Sequence, residues 1–143
     1  MVRSSLALAA AGLRFRSKAT PADFTPPADA VEQMTKYNQE LLKAGVMLTA
    51  EGLYPPVTGA RLKFGGGKPK VIDGPFAESK ELIGGYWIIS VKSREEAIEW
   101  AKRVPPGPQH ADFSIELRQI ADASDFPADV QAQLVPDLHP GWR

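Results

Sequence analysis

Residues 85–105 read GYWIISVKSREEAIEWAKRVP, and this stretch decides the fold. Its first part, Gly85–Lys92, is rich in aromatic and β-branched side chains, which favours a strand. Ser93 followed three residues later by Glu96 forms a capping box, which predicts the start of a helix. The residues that this helix directs inward are Ala97, Trp100, Ala101 and Val104.

Downstream, a second strand follows this helix. Over Asp112–Ile120, apolar and polar residues alternate, as expected for a half-buried strand. Residues 123–143 are predicted to form a C-terminal tail with a short helix over Ala128–Leu134, capped by Ser124 or Asp125. The strand, helix and second strand together make one β-α-β unit.

Upstream lie a helix, a strand and a hairpin. The helix is predicted over Asp29–Ala44, with Asp29 as its cap, Glu32 completing the first turn and Gly45 ending it. Val46–Leu53 is predicted as a strand. A hairpin follows, in which 61–64 and 70–72 flank Gly65–Gly67. The hairpin residues expected to face inward are Leu62 and Phe64.

Residues 1–20 are open to two interpretations. They carry Arg3, Arg14, Arg16 and Lys18 and no acid, which is compatible with a targeting segment. No clean small-x-small cleavage site follows the apolar stretch, which favours an N-terminal extension or a first edge strand. Leu13–Lys18 is the expected strand, because its arginines alternate with Leu13 and Phe15 and suit a solvated edge.

The resulting order is β-α-β, hairpin, β-α-β over residues 13–122. We therefore predict a single α+β domain with a ferredoxin-like βαββαβ arrangement and an inserted hairpin. Two helices on one face of one sheet leave the other face bare, and we expect a second protomer to cover it.

Composition excludes several classes of protein. The 143 residues include no cysteine, which rules out disulfides and thiolate metal sites, and no metal-ligand spacing or cofactor motif is present. Net charge is zero, which argues against a nucleic-acid partner despite the basic hairpin. No apolar run approaches the ~18 residues of a membrane span. We expect a cytoplasmic protein without cofactor, metal, membrane or nucleic-acid partner.

The densest cluster of unusual residues begins at Asp73-Gly74-Pro75-Phe76. The surrounding stretch 71–105, VIDGPFAESKELIGGYWIISVKSREEAIEWAKRVP, resembles the YCII-related, or DGPF, family. KYNQELLKAGVMLTAEGLYP upstream, and FSIELRQI and SDFP downstream, extend the resemblance over residues 29–134. It implies a homodimeric α+β barrel with a small-molecule pocket in each half.

The resemblance also implies a histidine–aspartate acid/base pair in the wider family. Met34 stands where that histidine would align, and methionine cannot transfer a proton. Asp73 is the matching titratable group and is the candidate catalytic residue. Asp-Gly-Pro is equally a turn sequence in which the carboxylate accepts hydrogen bonds from nearby backbone amides, so both interpretations stay open.

Six further residues are candidates for the pocket: Tyr37, Glu51, Phe76, Lys80, Trp87 and His110. Tyr37 and Trp87 are equally explained by packing, and Glu51 and Lys80 by solvent exposure. His110 lies in a loop, and it either replaces the missing histidine across the dimer or is simply exposed.

Two functions compete at this point. One is an enzyme with proton-transfer chemistry, of the isomerase or lyase type, on a small cyclic or unsaturated acid. The other is a non-catalytic ligand-binding or regulatory module associated with an extracytoplasmic-function sigma factor, a hypothesis that rests on association alone.

Overall fold

The computed structural model describes residues 4–11, 26–54, 56–74, 83–105 and 114–134, with the backbone alone for 4–11. The strands within these ranges are β1 (Ser4–Ala11), β2 (Met47–Gly52), β3 (Ala60–Lys63), β4 (Lys70–Asp73), β5 (Ile83–Val91) and β6 (Ser114–Gln119). The α-helices are α1 (Ala28–Lys43), α2 (Arg94–Lys102) and α3 (Ala128–Gln131). The α+β class is thereby confirmed.

Four of the strands form the main sheet, in the order β2-β5-β1-β6, with every neighbouring pair antiparallel. Strand β5 lies in the interior of this sheet, between β2 and β1. Its Trp87 is paired at Cα with Ala50 of β2 on one side and with Leu8 of β1 on the other. β5 is therefore the element on which the rest of the sheet is aligned.

The first strand of the described residues is Ser4–Ala11, in the segment interpreted as an N-terminal extension or first edge strand. The predicted strand Leu13–Lys18 lies outside the described residues and stays a prediction. Ser4–Ala11 is not an edge strand, because it pairs with both β5 and β6. Its sequence, SSLALAAA, has no β-branched or aromatic residue, so local propensity carries no strand signal. Pairing on two sides supplies its hydrogen bonds instead.

The core lies between the main sheet and the helices. Leu41 of α1 and Ile89 of β5 are completely buried, and α2 adds Ala97. The other buried apolar residues are Tyr37, Val46, Trp87, Val91 and Val104. Removing a side chain the size of leucine from water stabilises the fold by about 1.5–3 kcal/mol, so these few residues provide most of the attachment of the helices to the sheet.

Side chains alternate across β5, which divides the sheet into two faces. Trp87, Ile89 and Val91 face the helices, so Tyr86 and Ile88 lie on the opposite side, where both are partly exposed. We call this side the open face, because no helix of the described ranges packs against it. The residues that strand register places on the open face include Thr49, Glu51, Tyr86, Ile88, Glu116 and Arg118.

The helix α2 begins as predicted. The Ser93 hydroxyl accepts a hydrogen bond from the Glu96 amide at 3.1 Å, and the Glu96 carboxylate accepts one from the Lys92 amide at 2.8 Å. Ser93 therefore satisfies one of the free backbone amides in the first turn of α2. Glu96 binds the amide of Lys92, the residue before Ser93.

The predicted cap of α1 is wrong. Pro27 is the residue before the first turn and provides no side-chain hydrogen bond, while Asp29 lies inside that turn. There the carboxylate still interacts favourably with the helix dipole. Glu32, expected to complete the cap, instead forms an ion pair with Lys36 at 2.7 Å. Proline has the backbone angle that a helix start requires, so the helix begins directly after it.

The cap predicted for the C-terminal helix is also displaced. Asp122 and Asp125 form a reciprocal capping box on a single 3-10 turn, Ala123–Asp125, and Pro127 precedes α3. The polar residues of this segment thus organise the turn before the helix rather than the helix itself.

Strands β3 and β4 form a separate two-stranded sheet, and we call residues 60–73 the ribbon. Gly65–Gly67 form its turn, and all three have positive φ, as the hairpin prediction requires. The expectation that Leu62 and Phe64 face inward is wrong, since they are 52% and 77% exposed. No described helix or strand packs on them.

The base of the ribbon is fixed by backbone contacts. The Gly59 amide donates to the Pro56 carbonyl at 2.9 Å, and the Gly74 amide donates to the Gly59 carbonyl at 2.9 Å. A Cβ atom on Gly74 would lie 1.7 Å from the Pro56 oxygen, well inside contact distance. The glycine after Asp73 is therefore required because the chain passes directly against this turn.

We predict that Gly74→Ala lowers the free energy of unfolding by about 2 kcal/mol or more, because the new methyl group overlaps a backbone oxygen. Gly59→Ala is the matched control, since its Cβ would stand at an ordinary 3.5 Å from the same oxygen. Urea unfolding of both variants measures the difference. Equal stability of the two would show that the close approach at Gly74 does not exist.

Candidate functional site

Asp73 is the last residue of β4, opposite Ala60, and its side chain is exposed. Within the described ranges, no hydrogen bond holds its carboxylate. Pro75 has no N–H to donate, and the next amide that a turn could offer, that of residue 76, is outside those ranges, so the turn interpretation stays a prediction. Asp73 is thus a solvent-accessible carboxylate at the base of the ribbon, next to the backbone hydrogen bond of Gly74.

The two faces of the ribbon differ in chemistry. Leu62 and Val71 are cross-strand partners, and Asp73 lies two residues beyond Val71, on the same face. Lys63 and Lys70 pair with each other one step along, on the opposite face. Asp73, the candidate catalytic residue, thus lies at the end of an apolar face. On this face, Leu62 is 52% exposed and Val71 is 64% exposed.

Glu51 lies near the end of β2, where its Cα is paired with that of Tyr86 on β5. Register places both on the open face, and Glu51 is exposed while Tyr86 is half-buried. A carboxylate and a phenol at directly opposed positions are close enough to bind one small polar molecule together. No ion pair links Glu51 to another residue in the described part of the chain.

Tyr37 and Trp87 lie on the other side of the sheet, in the core. The rings meet edge to face with centroids 5.7 Å apart, and the Tyr37 hydroxyl donates to the Trp100 carbonyl at 3.0 Å. The Trp87 indole N–H donates to the Asn38 side-chain oxygen at 2.9 Å. Burial raises the pKa of Tyr37 to about 12. Every polar atom of these rings is engaged, as packing residues require.

The remaining candidates, Phe76, Lys80 and His110, lie outside the described residues, so their part in a site stays a prediction. Across the described ranges, no group of three histidine or acidic side chains is close enough to hold a metal ion. Within the same limits, no helix is sufficiently long and apolar to cross a bilayer.

Two residues near these candidates were not singled out from the sequence for their side-chain chemistry. Tyr86 is next to Trp87, and the alternation of a strand that buries Trp87 would have assigned Tyr86 to the open face. Arg103 places its guanidinium 4.4 Å from the centre of the Trp100 ring and forms an ion pair with Glu40. The contact with Trp100 has the local i,i+3 spacing of a helix, but no local pattern signals the ion pair, since Glu40 lies on α1.

We predict that Tyr37→Phe costs about 1 kcal/mol of stability at neutral pH, because the hydrogen bond to Trp100 is lost. The raised pKa means that folding favours the neutral phenol, so this contribution is complete below pH 10 and is lost as the pH rises toward 12. The difference in melting temperature between wild type and Tyr37→Phe should therefore shrink over that window. A difference that stays constant from pH 9 to about 12 would contradict the desolvation of this phenol.

Comparison with known proteins agrees with the family resemblance of the stretch that begins at Asp73-Gly74-Pro75-Phe76. Residues 15–122 match the sequence pattern of the YCII-related domain. A stretch of 72 residues, half of this chain, is 31% identical to an uncharacterized protein of Rhizobium meliloti (strain 1021). The match spans 58% of that protein's length.

The matched pattern covers most of the chain, including α1, the ribbon, Asp73 and the strand–helix–strand unit around β5. This protein therefore belongs to the YCII-related domain family.

Proposed function

We propose that this protein binds a small organic molecule on the open face of its main sheet, in a pocket that a second copy of the chain encloses. The chemistry proposed for that pocket is proton transfer, of the isomerase or lyase type, with Asp73 as the proton acceptor. The ligand class is a small cyclic or unsaturated acid, whose C–H bond beside the unsaturation is the proton source.

The observation that carries this proposal is the asymmetry of the main sheet. Its helix-facing side is filled by Trp87, Ile89 and Val91, whereas the open face combines apolar Ile88 with the polar groups of Glu51 and Tyr86. A small-molecule site needs apolar contact together with a few polar groups that fix the ligand's orientation, and Ile88 with Glu51 and Tyr86 provides both. A second copy that covered this face would exclude water from the ligand, which supports a partner that closes the pocket.

The strand order supports the dimeric barrel expected of the family. In the order β2-β5-β1-β6, the helix α1 joins β1 to β2, and β5 lies between those two strands. In the same way, α2 joins β5 to β6, and β1 lies between them. This split β-α-β arrangement is the ferredoxin-like one. Two such sheets packed face to face would enclose the open face of each copy.

Asp73 is the acid/base candidate because its backbone is fixed, while no hydrogen bond within the described ranges occupies its carboxylate. The anchored Gly74 fixes its backbone, and the side chain stays exposed. Met34, at the position expected for a histidine, is half-buried against the core and has no proton to exchange. A single carboxylate can still remove and return a proton from one face of an acidic C–H bond.

The test is hydrogen–deuterium exchange of candidate acids. The protein is incubated in D2O with a panel of small unsaturated and lactone acids, and loss of C–H signals is followed by NMR. Wild type should exchange the acidic proton of at least one compound, and Asp73→Asn should lose that exchange by about a hundredfold or more. Asp129→Asn, an exposed aspartate in α3, is the matched control and should exchange at the wild-type rate.

The same experiment separates the two functions. Saturable binding of a compound by wild type and by Asp73→Asn, with exchange in neither, would contradict catalysis and favour the non-catalytic ligand-binding or regulatory module. Exchange at equal rates in wild type and Asp73→Asn would show that another group is the base. A melting temperature of Asp73→Asn within about 2 °C of wild type is expected, since surface substitutions rarely change stability much.

A further inference from the structure

The residues of the open face form two rows that cross the main sheet from one edge to the other. In strand order, the first row is Thr49, Ile88, Ala7 and Arg118, and the second is Glu51, Tyr86, Ala9 and Glu116. Neighbouring strands are about 5 Å apart, and positions two residues apart along a strand are separated by about 7 Å. Arg118 and Glu51 therefore occupy diagonally opposite corners of this face.

Arg118 is the cation of the open face, among the strand residues that the structure describes. Its side chain is 78% exposed, and its Nε lies 3.9 Å from a carboxylate oxygen of Glu116. This distance is longer than a hydrogen bond, and ion pairs as exposed as this one are weak. In the same part of the chain, no hydrogen bond engages the two terminal nitrogens of the guanidinium, which carry most of its N–H donors. Those donors are available to a ligand.

A guanidinium presents its donors as a planar fork that matches the two oxygens of a carboxylate. We propose that Arg118 binds the carboxylate of the small acid on the open face, an inference that rests on the proposed function. Glu116 approaches the guanidinium at Nε, so the two terminal nitrogens are left to the ligand. Arg118 is then the residue that distinguishes an acid from a neutral compound of the same shape.

The opposite corner of the face determines which acids fit. Glu51 is three strand spacings from Arg118, about 14 Å, which exceeds the Debye length of about 8 Å at physiological salt. The charge of Glu51 therefore hardly affects a carboxylate bound at Arg118, but it repels one placed beside Tyr86. The ligand is oriented with its carboxylate on β6 and its body over Ile88 and Tyr86. Such a face selects a monocarboxylate whose cyclic or unsaturated body is uncharged.

The test compares each acid of the exchange panel with its own primary amide, beginning with cyclohex-1-ene-1-carboxylate. The amide has nearly the same shape but no charge, so the ratio of the two dissociation constants measures recognition of the carboxylate. In calorimetric titration, wild type should prefer an acid over its amide at least about tenfold. Arg118→Gln should lose this preference, because it binds the acid at least about tenfold more weakly and the amide as wild type does.

Two further variants separate this role from a general effect of charge. Arg94→Gln removes the same charge from an exposed residue of α2, on the other side of the sheet, and should keep the wild-type preference. Arg118→Lys keeps the charge but loses the planar fork, so its preference should lie between those of wild type and Arg118→Gln. Circular dichroism checks that the variants are folded.

A diacid tests the corner at Glu51. Cyclohex-1-ene-1,4-dicarboxylate adds a second charge at the end away from the first, and wild type should bind it at least about fivefold more weakly than the monoacid. Glu51→Gln should reduce that difference. Equal binding of diacid and monoacid by wild type would overturn the selection of monocarboxylates.

The outcomes distinguish this inference from the proposed function. An acid preference that Arg118→Gln retains in full overturns the assignment of Arg118 but leaves the open face as the binding site. A wild type that binds acids and amides equally overturns the assignment as well. If wild type binds no acid of the panel, the proposed function and this inference both fail.

Discussion

The position of Trp87 controls how the helices sit on the sheet. Its indole N–H donates to Asn38, its ring meets the edge of Tyr37, and the Tyr37 hydroxyl reaches the Trp100 carbonyl on α2. One residue of an interior strand is thereby connected to both long helices. Hydrogen bonds are directional, so together with the apolar packing they define where both helices lie on the sheet.

The same constraint determines where a site can exist. With Trp87 directed toward the helices, strand alternation places Tyr86 and Ile88 on the open face, opposite the core. The helix side is filled, and the polar atoms of Tyr37 and Trp87 are paired there, as packing residues require; a part for either in ligand binding stays a prediction. Of the surfaces in the described part of the chain, the open face and the ribbon carry the remaining described candidates, Glu51 and Asp73.

Much of this could be predicted from the sequence. The Ser93 cap of α2, the aromatic strand β5 and the glycine turn of the ribbon are local signals, and each is confirmed. The reciprocal half of the predicted capping box differs, because Glu96 accepts from the Lys92 amide instead of the Ser93 amide. What local patterns could not show depends on distant parts of the chain. The alanine-rich β1 is a strand because it has a neighbour on each side, and Leu62 is exposed because no described segment covers the ribbon. For the site, the sequence nominated Glu51 and Asp73, but only register could pair Glu51 with Tyr86.

The central claim is that the open face of the main sheet binds a small organic acid. Calorimetric titration of the acid that wild type exchanges tests it most directly. The account predicts that Ile88→Glu, at the centre of the open face, weakens binding at least about tenfold, because a charge is placed where the ligand must pack. Leu42→Glu, on the outer side of α1, should bind as wild type. Equal affinity of Ile88→Glu and wild type would contradict a site on this face.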